Sequence, residues 1–286
     1  MPAATYLDEI LAVHRAAAAA DGRDVGALVA TAVACGRGRP FADSLRAQEG
    51  LAVIAEIKRR SPARGDLDPG LDPAAVARDY EAGGAACVSV LSDATFFGGS
   101  AEDVTAARAA CGLPVLRKDF TVAAADVADA RLMGADAVLL IVAALTDGEL
   151  GELLALAGRV GLDALVEVHD EAEVERALAA GAELIGVNQR DLASFAVDHE
   201  RALRVARSIP GDVVAVAESG IRHGDDARRL ADAGYRAVLV GETLMRASDR
   251  GAVLRDLGGH RVGERAGRPE RVGRPDRVGP PGRVGS

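Results

Sequence analysis

Short apolar runs rich in β-branched residues alternate with alanine-rich stretches over most of this sequence. Eight such runs lie between residues 51 and 257, at intervals of about 25 residues. Each run is almost continuously apolar, as is typical of strands buried on both faces, and the stretches between the runs are amphipathic with helical spacing. The pattern therefore predicts strands that alternate with helices. The segments that contain the runs start at Leu51, Ala82, Pro114, Met133, Ala164, Ala180, Asp212 and Ala233.

A glycine precedes every second run, at the point where the helical stretch ends. These glycines lie about 50 residues apart, which is a period of two strand–helix units. Glycine suits the end of a helix that turns into a strand, because it adopts a left-handed backbone at little cost. We therefore expect a helix cap at Gly83, Gly134, Gly181 and Gly234.

The repeat of eight buried strands predicts a closed parallel (β/α)8 barrel, the TIM-barrel architecture, over residues 50–257. An open doubly wound sheet is the alternative. It would require a GxGxxG motif after the first strand, and the sequence has no such motif. Residues 1–49 are predicted to form a helical extension, with one helix from Thr5 to about Ala20, another near Asp24 to Cys35 and the short segment PFADSLR.

Residues 258–286 differ in composition from the rest of the chain. They contain eight glycines, four prolines and seven arginines, with the triplet RVG repeated, and almost no side chain large enough to bury. Such a composition predicts a disordered tail. A weak interaction of this basic segment with an acidic partner is the alternative.

Charge and composition argue against several classes of protein. Acidic residues outnumber basic ones by 43 to 34 and aromatic residues make up only 3% of the 286 residues, so we do not expect nucleic-acid binding. No apolar run reaches the ~18 residues of a membrane helix, and Asp8 and Glu9 stand where an export signal would be basic. The three cysteines are far apart and form no CxxC pair, which fits a reducing compartment. We therefore expect a cytoplasmic protein.

The histidines are too scattered to predict a metal site. None of them forms an HxxxH or HxH pair, so solvent-facing positions on helices or loops are the expected environment. No metal and no other cofactor is predicted. The five histidines are His14, His169, His199, His223 and His260.

Polar residues close several of the predicted strands, which is where the reacting groups of (β/α)8 enzymes lie. Glu56 and Lys58 are two residues apart on one strand and are expected to share a face. Carboxylates and amines that converge on one mouth are costly unless a site uses them, the alternative being a ring of ion pairs that fills the last layer of the barrel. The residues that close these strands are Glu56, Lys58, Arg117, Lys118, Asp119, Glu167, Asn188, Gln189, Arg190, Glu218 and Ser219.

Lysine is almost absent, and its two occurrences are informative. The chain has 34 basic residues, and all except Lys58 and Lys118 are arginines. An arginine stays charged, whereas a lysine can exchange a proton when its pKa is shifted. Both lysines fall at predicted strand ends, so we predict that they take part in chemistry.

Two loops predict a site for a phosphate ester. Ser219 and Gly220 follow the seventh predicted strand, and Gly241 and Glu242 follow the eighth and open a short helix. Backbone N–H groups at the start of a helix favour anions, and this pair of loops binds phosphate in many barrels. Either loop alone is equally consistent with a plain turn.

Four of the five phenylalanines, Phe96, Phe97, Phe120 and Phe195, follow predicted strands two, three and six. An apolar cover over the barrel is one interpretation. Rings that flank an aromatic substrate are the other.

Eight motifs, in order along the chain, resemble indole-3-glycerol-phosphate synthase, a barrel enzyme of tryptophan biosynthesis. The resemblance extends from residue 1 to about residue 257. It implies ring closure, decarboxylation and dehydration of 1-(2-carboxyphenylamino)-1-deoxyribulose 5-phosphate, which is a carboxy-lyase reaction without a cofactor. The motifs are AEIKRRSPARGDL from Ala55, SVLSDATFFGGS from Ser89, PVLRKDF from Pro114, LLIV from Leu139, LVEVHD from Leu165, IGVNQRDL from Ile185, VAESGI from Val216 and LVGETLMR from Leu239.

The same resemblance implies catalytic roles. Lys118 would be the general acid toward the ketone oxygen, Glu167 would serve the later proton transfers, and Lys58 would hold the substrate carboxylate. The remaining catalytic positions, which would orient these groups and bind sugar hydroxyls, are Glu56, Asn188 and Glu218.

It also implies binding roles. Phe97 would flank the anthranilate ring and Arg190 would be a substrate-binding cation. The phosphate would lie against Ser61, Ser219, Gly220, Gly241 and Glu242.

Three positions depart from the usual family pattern: Ala63 with Arg64, Gln189 and Glu242. A related phosphoribosyl-binding barrel isomerase and a non-catalytic barrel that binds a phosphate ligand are the alternative functions. We expect a monomer whose partner is a small phosphate ester, with contacts to other tryptophan-pathway enzymes as a further possibility and no membrane partner.

Overall fold

The computed structural model describes residues 5–61, 65–191 and 196–265. Eight parallel strands close into a barrel, because β1 pairs with β2 on one side and with β8 on the other. The predicted (β/α)8 barrel is confirmed, and the open sheet is excluded. The strands are β1 Ala52–Ile57, β2 Cys87–Leu91, β3 Val115–Lys118, β4 Ala137–Ile141, β5 Asp163–Val168, β6 Leu184–Asn188, β7 Val214–Glu218 and β8 Ala237–Val240.

Helices connect the strands and surround the barrel. A two-residue antiparallel ladder, Arg60–Ser61 with Gly65–Asp66, follows β1, and 3-10 turns lie at Val142–Ala144 and Ala206–Ser208. The helices are α1 Tyr6–Ala20, α2 Val25–Ala34, α3 Phe41–Arg46, α4 Pro73–Ala82, α5 Ala94–Phe97, α6 Ala101–Ala110, α7 Ala124–Leu132, α8 Asp147–Arg159, α9 Glu171–Ala180, α10 His199–Val205, α11 Gly224–Asp232, α12 Glu242–Met245 and α13 Arg250–Leu257.

The N-terminal extension consists of α1, α2 and α3, close to the predicted segments. Thr5 caps α1 in a capping box with Asp8, and Asp24 caps α2, so local sequence sets both starts. Farther on, the backbone N–H of Arg39 donates to Asp136 Oδ1 at 2.6 Å, just before β4. The segment after α2 is therefore tied to the N-terminal ends of the strands. Helix α1 lies near their C-terminal ends, where His14 contacts Asp93.

The strands are buried almost throughout, as their apolar runs predict. β1, β2, β4, β6, β7 and β8 have no exposed residue. Two tyrosines are buried with their hydroxyls satisfied: Tyr80 donates to the carbonyl of Glu56 at 3.0 Å, and Tyr235 donates to that of Ala202 at 2.7 Å. The packed interior fixes the strand ends that carry the polar residues.

The glycine repeat marks the ends of helices with one displacement. Gly134, Gly181 and Gly234 have φ of +89°, +94° and +91°, in the left-handed region as expected. In the first copy Gly83 is right-handed, and Gly84 takes the left-handed position with φ +91°. A Cβ on Gly83 would meet the Leu254 side chain, so close packing is what requires glycine there.

Residues 258–265 are the main difference from the predicted tail, because they lie against the N-terminal ends of the strands. The N–H of Leu51 donates to His260 O at 2.8 Å, and that of Gly263 donates to Ala231 O at 2.8 Å. Arg265 donates to the carbonyls of Gly234 and Val213. Backbone hydrogen bonds hold this segment, and such bonds need little apolar surface. Residues 266–286, where the rest of the predicted tail falls, lie outside the described residues.

The cysteines are free: Cys35 is exposed, and Cys87 and Cys111 are buried. Within the described part of the chain, none of the helices combines the length and the apolar character needed to cross a bilayer.

Candidate active site

A cavity of about 630 Å³ opens at the C-terminal ends of the strands. The structure places all thirteen predicted site residues on its wall. They come from β1, β3, β5, β6 and β7 and from the loops or short helices that follow β1, β2, β6, β7 and β8. These residues are Glu56, Lys58, Ser61, Phe97, Lys118, Glu167, Asn188, Arg190, Glu218, Ser219, Gly220, Gly241 and Glu242.

Lys118 lies on the cavity wall beside two carboxylates. Its Nζ donates to Glu167 Oε2 at 3.2 Å and lies 3.6 Å from Glu218 Oε2. The three residues end β3, or lie near the ends of β5 and β7, so the barrel itself brings them together. Glu167 and Glu218 are each only 1% exposed, which leaves Lys118 as the cationic partner of two buried acids.

Burial and neighbouring charges shift the pKa values of this group in different directions. Burial favours the neutral amine of Lys118, but the nearby carboxylates outweigh it and raise its pKa above the usual value. Burial also favours neutral Glu167, but Lys118 and His169 outweigh it and lower its pKa. Burial together with Glu167 raises the pKa of Glu218 to about 8. At neutral pH the cluster therefore holds a protonated Lys118, an ionised Glu167 and a largely protonated Glu218.

Glu56 and Lys58 form a second ion pair at the end of β1, with Lys58 Nζ 2.5 Å from Glu56 Oε1. The prediction that they share a face is confirmed. A Cβ on Gly241 would overlap Glu56 Oε1 and lie 3.1 Å from Lys58 Nζ. Glycine after β8 thus leaves the space that this ion pair occupies.

A second glycine provides space for Glu218. A Cβ on Gly186, in β6, would overlap Glu218 Oε1 and lie 3.2 Å from Leu165 Cδ1. The same Glu218 oxygen is buried without a hydrogen-bond partner among the described residues. The mouth therefore contains a carboxyl oxygen whose hydrogen-bonding capacity is unused.

Polar residues at the end of β6 orient the acids. Asn188 donates from Nδ2 to Glu167 Oε1 at 3.0 Å, and its Oδ1 accepts the backbone N–H of Arg190 at 3.0 Å. Gln189 turns away from the cavity and donates to Ser219 O at 2.7 Å. The departure from the usual family pattern at this position therefore lies behind the cavity wall.

The loops after β7 and β8 form one end of the cavity. Ser219 has φ +68° and Gly220 φ +76°, and Ser219 is the sole non-glycine with positive φ among the described residues. Two arginines that the sequence did not single out, Arg222 and Arg246, line the same end. They bring positive charge to the loops, as a site for a phosphate requires.

Aromatic rings line the opposite part of the mouth. Phe97 and Phe120 both line the cavity, with ring centroids 6.1 Å apart. Phe96 packs instead edge-on against Tyr6 of α1, at 5.7 Å. Phe195, and likewise Ala63 and Arg64, lie outside the described residues.

Three of the five histidines, His14, His169 and His260, are half-buried, so the solvent-facing prediction was wrong for them; the first two lie near the cavity. His14 Nε2 lies 3.0 Å from Asp93 Oδ2, and the His14 ring packs 5.4 Å from Phe120. His169 follows Glu167 at the end of β5, with 15% of its side chain exposed. Sequence spacing gave no signal for either, because their partners lie on other elements or depend on the turn after β5.

His14, Asp93 and Asp119 place ligand atoms within 4.8 Å of one another, as a metal site would. Their oxygens, however, already accept hydrogen bonds. Asp93 Oδ1 accepts the N–H groups of Phe96 and Phe97, and Asp119 Oδ2 accepts from Arg117 at 2.9 Å. A cation beside the Arg117 guanidinium would be repelled, so this cluster is better described as a hydrogen-bonded clamp between α1 and the loops after β2 and β3.

Sequence comparisons with known proteins identify the family of this chain. The indole-3-glycerol phosphate synthase family model matches residues 7–257. Indole-3-glycerol phosphate synthase 2 of Streptomyces coelicolor is 52% identical over 232 residues, which is 81% of this chain and 90% of that protein. Indole-3-glycerol phosphate synthase of Mycobacterium ulcerans is 47% identical over 259 residues, 90% of this chain and 95% of that protein.

Solved structures share the barrel at low sequence identity. Thiamine phosphate pyrophosphorylase from Pyrococcus furiosus has a TM-score of 0.55 and 19% identity, covering 74% of this chain and 95% of its own. N-acetylmannosamine-6-phosphate 2-epimerase from Clostridium perfringens has a TM-score of 0.55 and 14% identity, covering 72% and 90%. At these identities the similarity concerns the fold alone.

Proposed function

Because the chain belongs to the indole-3-glycerol phosphate synthase family, we propose that it converts 1-(2-carboxyphenylamino)-1-deoxyribulose 5-phosphate into indole-3-glycerol phosphate, CO2 and water. It would act as a carboxy-lyase of tryptophan biosynthesis. The observation that carries this proposal is the placement of Lys118 against Glu167 and Glu218 on the wall of the cavity. This arrangement puts a proton donor and an ionised acceptor side by side.

Ring closure needs an acid at the substrate ketone. The ring carbon that bears the carboxylate attacks the ketone carbon, a carbon–carbon bond forms, and negative charge develops on the ketone oxygen. Lys118 donates its proton to that oxygen, which is a stronger base than an amine once the charge has developed. The raised pKa of Lys118 keeps the amine charged until then.

Decarboxylation and dehydration complete the reaction. The bond between the ring carbon and its carboxylate breaks, and CO2 leaves with aromaticity restored. The hydroxyl formed in the first step then takes a second proton from the largely protonated Glu218 and leaves as water, and the base Glu167 accepts the proton released from the five-membered ring. Lys58 pairs with the substrate carboxylate before CO2 is lost. No cofactor is required for this balance.

The rest of the cavity would orient the substrate. The phosphate would bind to Ser219, Gly220, Gly241 and Glu242, the last two through backbone N–H groups, with Ser61, Arg222 and Arg246 nearby. The anthranilate ring would lie against Phe97 and Phe120. Arg190, Glu56, Asn188 and Glu218 would bind the carboxylate or sugar hydroxyls.

A direct assay tests the proposal. The purified protein is given the carboxyphenylamino-deoxyribulose phosphate, and indole fluorescence is followed. We expect turnover by the parent and none by Glu167→Gln, with both proteins folded. An inert parent that still melts at a higher temperature in millimolar phosphate would instead favour the non-catalytic phosphate-binding barrel. The isomerase alternative is not favoured by the family assignment.

A further inference from the structure

Glu167 has a neighbour behind the cavity that the proposed mechanism does not use. His169 follows it on the chain, and His169 Nε2 lies 3.7 Å from Glu167 Oε1. This nitrogen is buried and has no hydrogen-bond partner among the described residues. His169 does not line the cavity, so it acts on a substrate only through Glu167.

Glu173, in the first turn of α9, fixes the other side of the imidazole. Its Oε2 lies 3.1 Å from His169 Nδ1 and accepts the backbone N–H of His169 at 2.7 Å. A carboxylate at this distance holds a proton on Nδ1. The ring is thereby set with Nε2 directed toward Glu167, and a second proton on Nε2 would make His169 a cation beside that carboxylate.

We propose that Glu173 and His169 form a buried pair in which His169 is a positioning residue that keeps Glu167 ionised. The proposal rests on the proposed function, in which Glu167 is the base. It explains how Glu167 stays charged when its other cationic neighbour, Lys118, gives its proton to the substrate: the imidazolium remains and continues to stabilise the carboxylate.

Charged and polar groups face the pair of Glu173 and His169 from several elements. Glu167 and Glu173 face His169 from β5 and α9, and Arg201 on α10 opposes its protonation. Burial favours the neutral ring, but the two carboxylates outweigh it and raise the pKa of His169. Around Glu167 itself stand Lys118 on β3, Asn188 on β6 and Glu218 on β7.

The test compares His169→Asn and Glu173→Gln with the parent and with His260→Asn, a histidine at the opposite end of the barrel. Loss of the imidazolium raises the pKa of Glu167, so the acid limb of the kcat–pH profile should move upward by about one unit, and kcat measured on that limb should fall about tenfold while kcat on the plateau changes little. Glu173→Gln should move it in the same direction by less. KM should change less than twofold, because His169 does not line the cavity.

A merely structural role would lower kcat equally at all pH values, and that result in both variants would overturn the proposal. NMR titration of the His169 ring is independent of turnover. We expect its pKa above 6.5 in the parent and lower in Glu173→Gln. A parent value at or below 6.5 would overturn the proposal even if His169→Asn fails to fold, whereas a parent with the expected titration but no turnover would remove the proposed function instead.

Discussion

Space and charge in the mouth are set residue by residue. Gly186 and Gly241 lack the Cβ atoms that would overlap Glu218 and Glu56, so the backbone leaves room for two carboxylates. Lys58 pairs with Glu56, and Lys118 lies near both Glu167 and Glu218. The charge distribution of the site therefore depends on these two glycines as well as on the acids and the lysines.

Exchange of each lysine for arginine separates proton donation from charge. Lys118→Arg keeps the cation and removes the exchangeable proton, so we expect turnover to fall by about two to four orders of magnitude with folding intact. Lys58→Arg still pairs with a carboxylate, so it should weaken substrate binding more than it slows chemistry. Single-turnover rates, substrate affinity and thermal melts of both variants check this. Equal rates for Lys118→Arg and the parent would remove Lys118 from the mechanism.

The raised pKa of Glu218, about 8, makes folding stability depend on pH. The folded protein keeps a proton that the unfolded chain releases near pH 4.5, so the contribution of Glu218 is favourable below that value and is lost as pH rises toward 8. We expect Glu218→Gln to unfold with a free energy higher by on the order of 2 kcal/mol at pH 8.5 and little changed at pH 4.5. Urea titrations at both pH values measure this, and a difference that does not vary with pH would contradict it.

At the scale of elements, helix α1 is clamped to the mouth. His14 contacts Asp93, whose other oxygen caps α5, the helix that ends in Phe97. The hydrogen bond to Asp93 raises the pKa of His14, so the clamp is strongest below about pH 6.5 and is lost as pH rises through that raised pKa. His14 thereby connects the N-terminal extension to the two phenylalanines that line the cavity, Phe97 and Phe120.

We expect His14→Ala to raise KM about three- to tenfold with little change in kcat. The substitution removes a contact that supports Phe97 and Phe120, whereas Lys118 and Glu167 keep their contacts. Val13→Ala, which changes an exposed neighbour on the same helix, is the matched control. Steady-state kinetics and hydrogen exchange of α1 measure the effect. An unchanged KM together with unchanged exchange would show that the clamp is dispensable.

The sequence predicts those structural features that a single strand or helix determines. Continuous apolar runs predict all eight strands, and polar residues at their ends predict the cavity wall, because a parallel barrel brings all strand ends to one side. The partnership of His14 with Asp93 joins residues 79 positions apart, which no local pattern encodes. A Cβ on Gly83 would overlap the side chain of Leu254, a contact between distant parts of the chain that no local pattern encodes. The roles assigned to the thirteen site residues stay predictions.

At the scale of the whole molecule, residues 258–265 belong to the folded barrel rather than to the tail. Residues 258–265 carry few apolar atoms, yet their hydrogen bonds reach Leu51, Ala231 and the carbonyls of Val213 and Gly234. Among the side chains, Arg265 donates to two of these carbonyls and Val262 packs against the hydrophobic core, and burial lowers the pKa of Arg265. Composition alone could not reveal this docking, because most of the partners are backbone N–H and carbonyl groups.

A pair of truncations tests the boundary. A chain that stops after residue 265 should melt within about 1 °C of the parent, because the missing part has almost nothing to bury. A chain that stops after Leu257 should lose about 2 to 4 kcal/mol and melt about 5 to 10 °C lower. Calorimetry of both chains decides the matter, with Arg265→Ala in the longer one to isolate the guanidinium. Identical melting temperatures would mean that residues 258–265 contribute nothing.

The position of Arg265 also defines where the protein can be tethered. Its partners Val213 and Gly234 precede β7 and β8, at the end of the barrel opposite the cavity. Strands of five residues separate the two ends by about 17 Å. A surface, a fluorescent reporter or a second enzyme fused after residue 265 would therefore face away from the mouth, and small molecules could diffuse to the immobilised catalyst without obstruction.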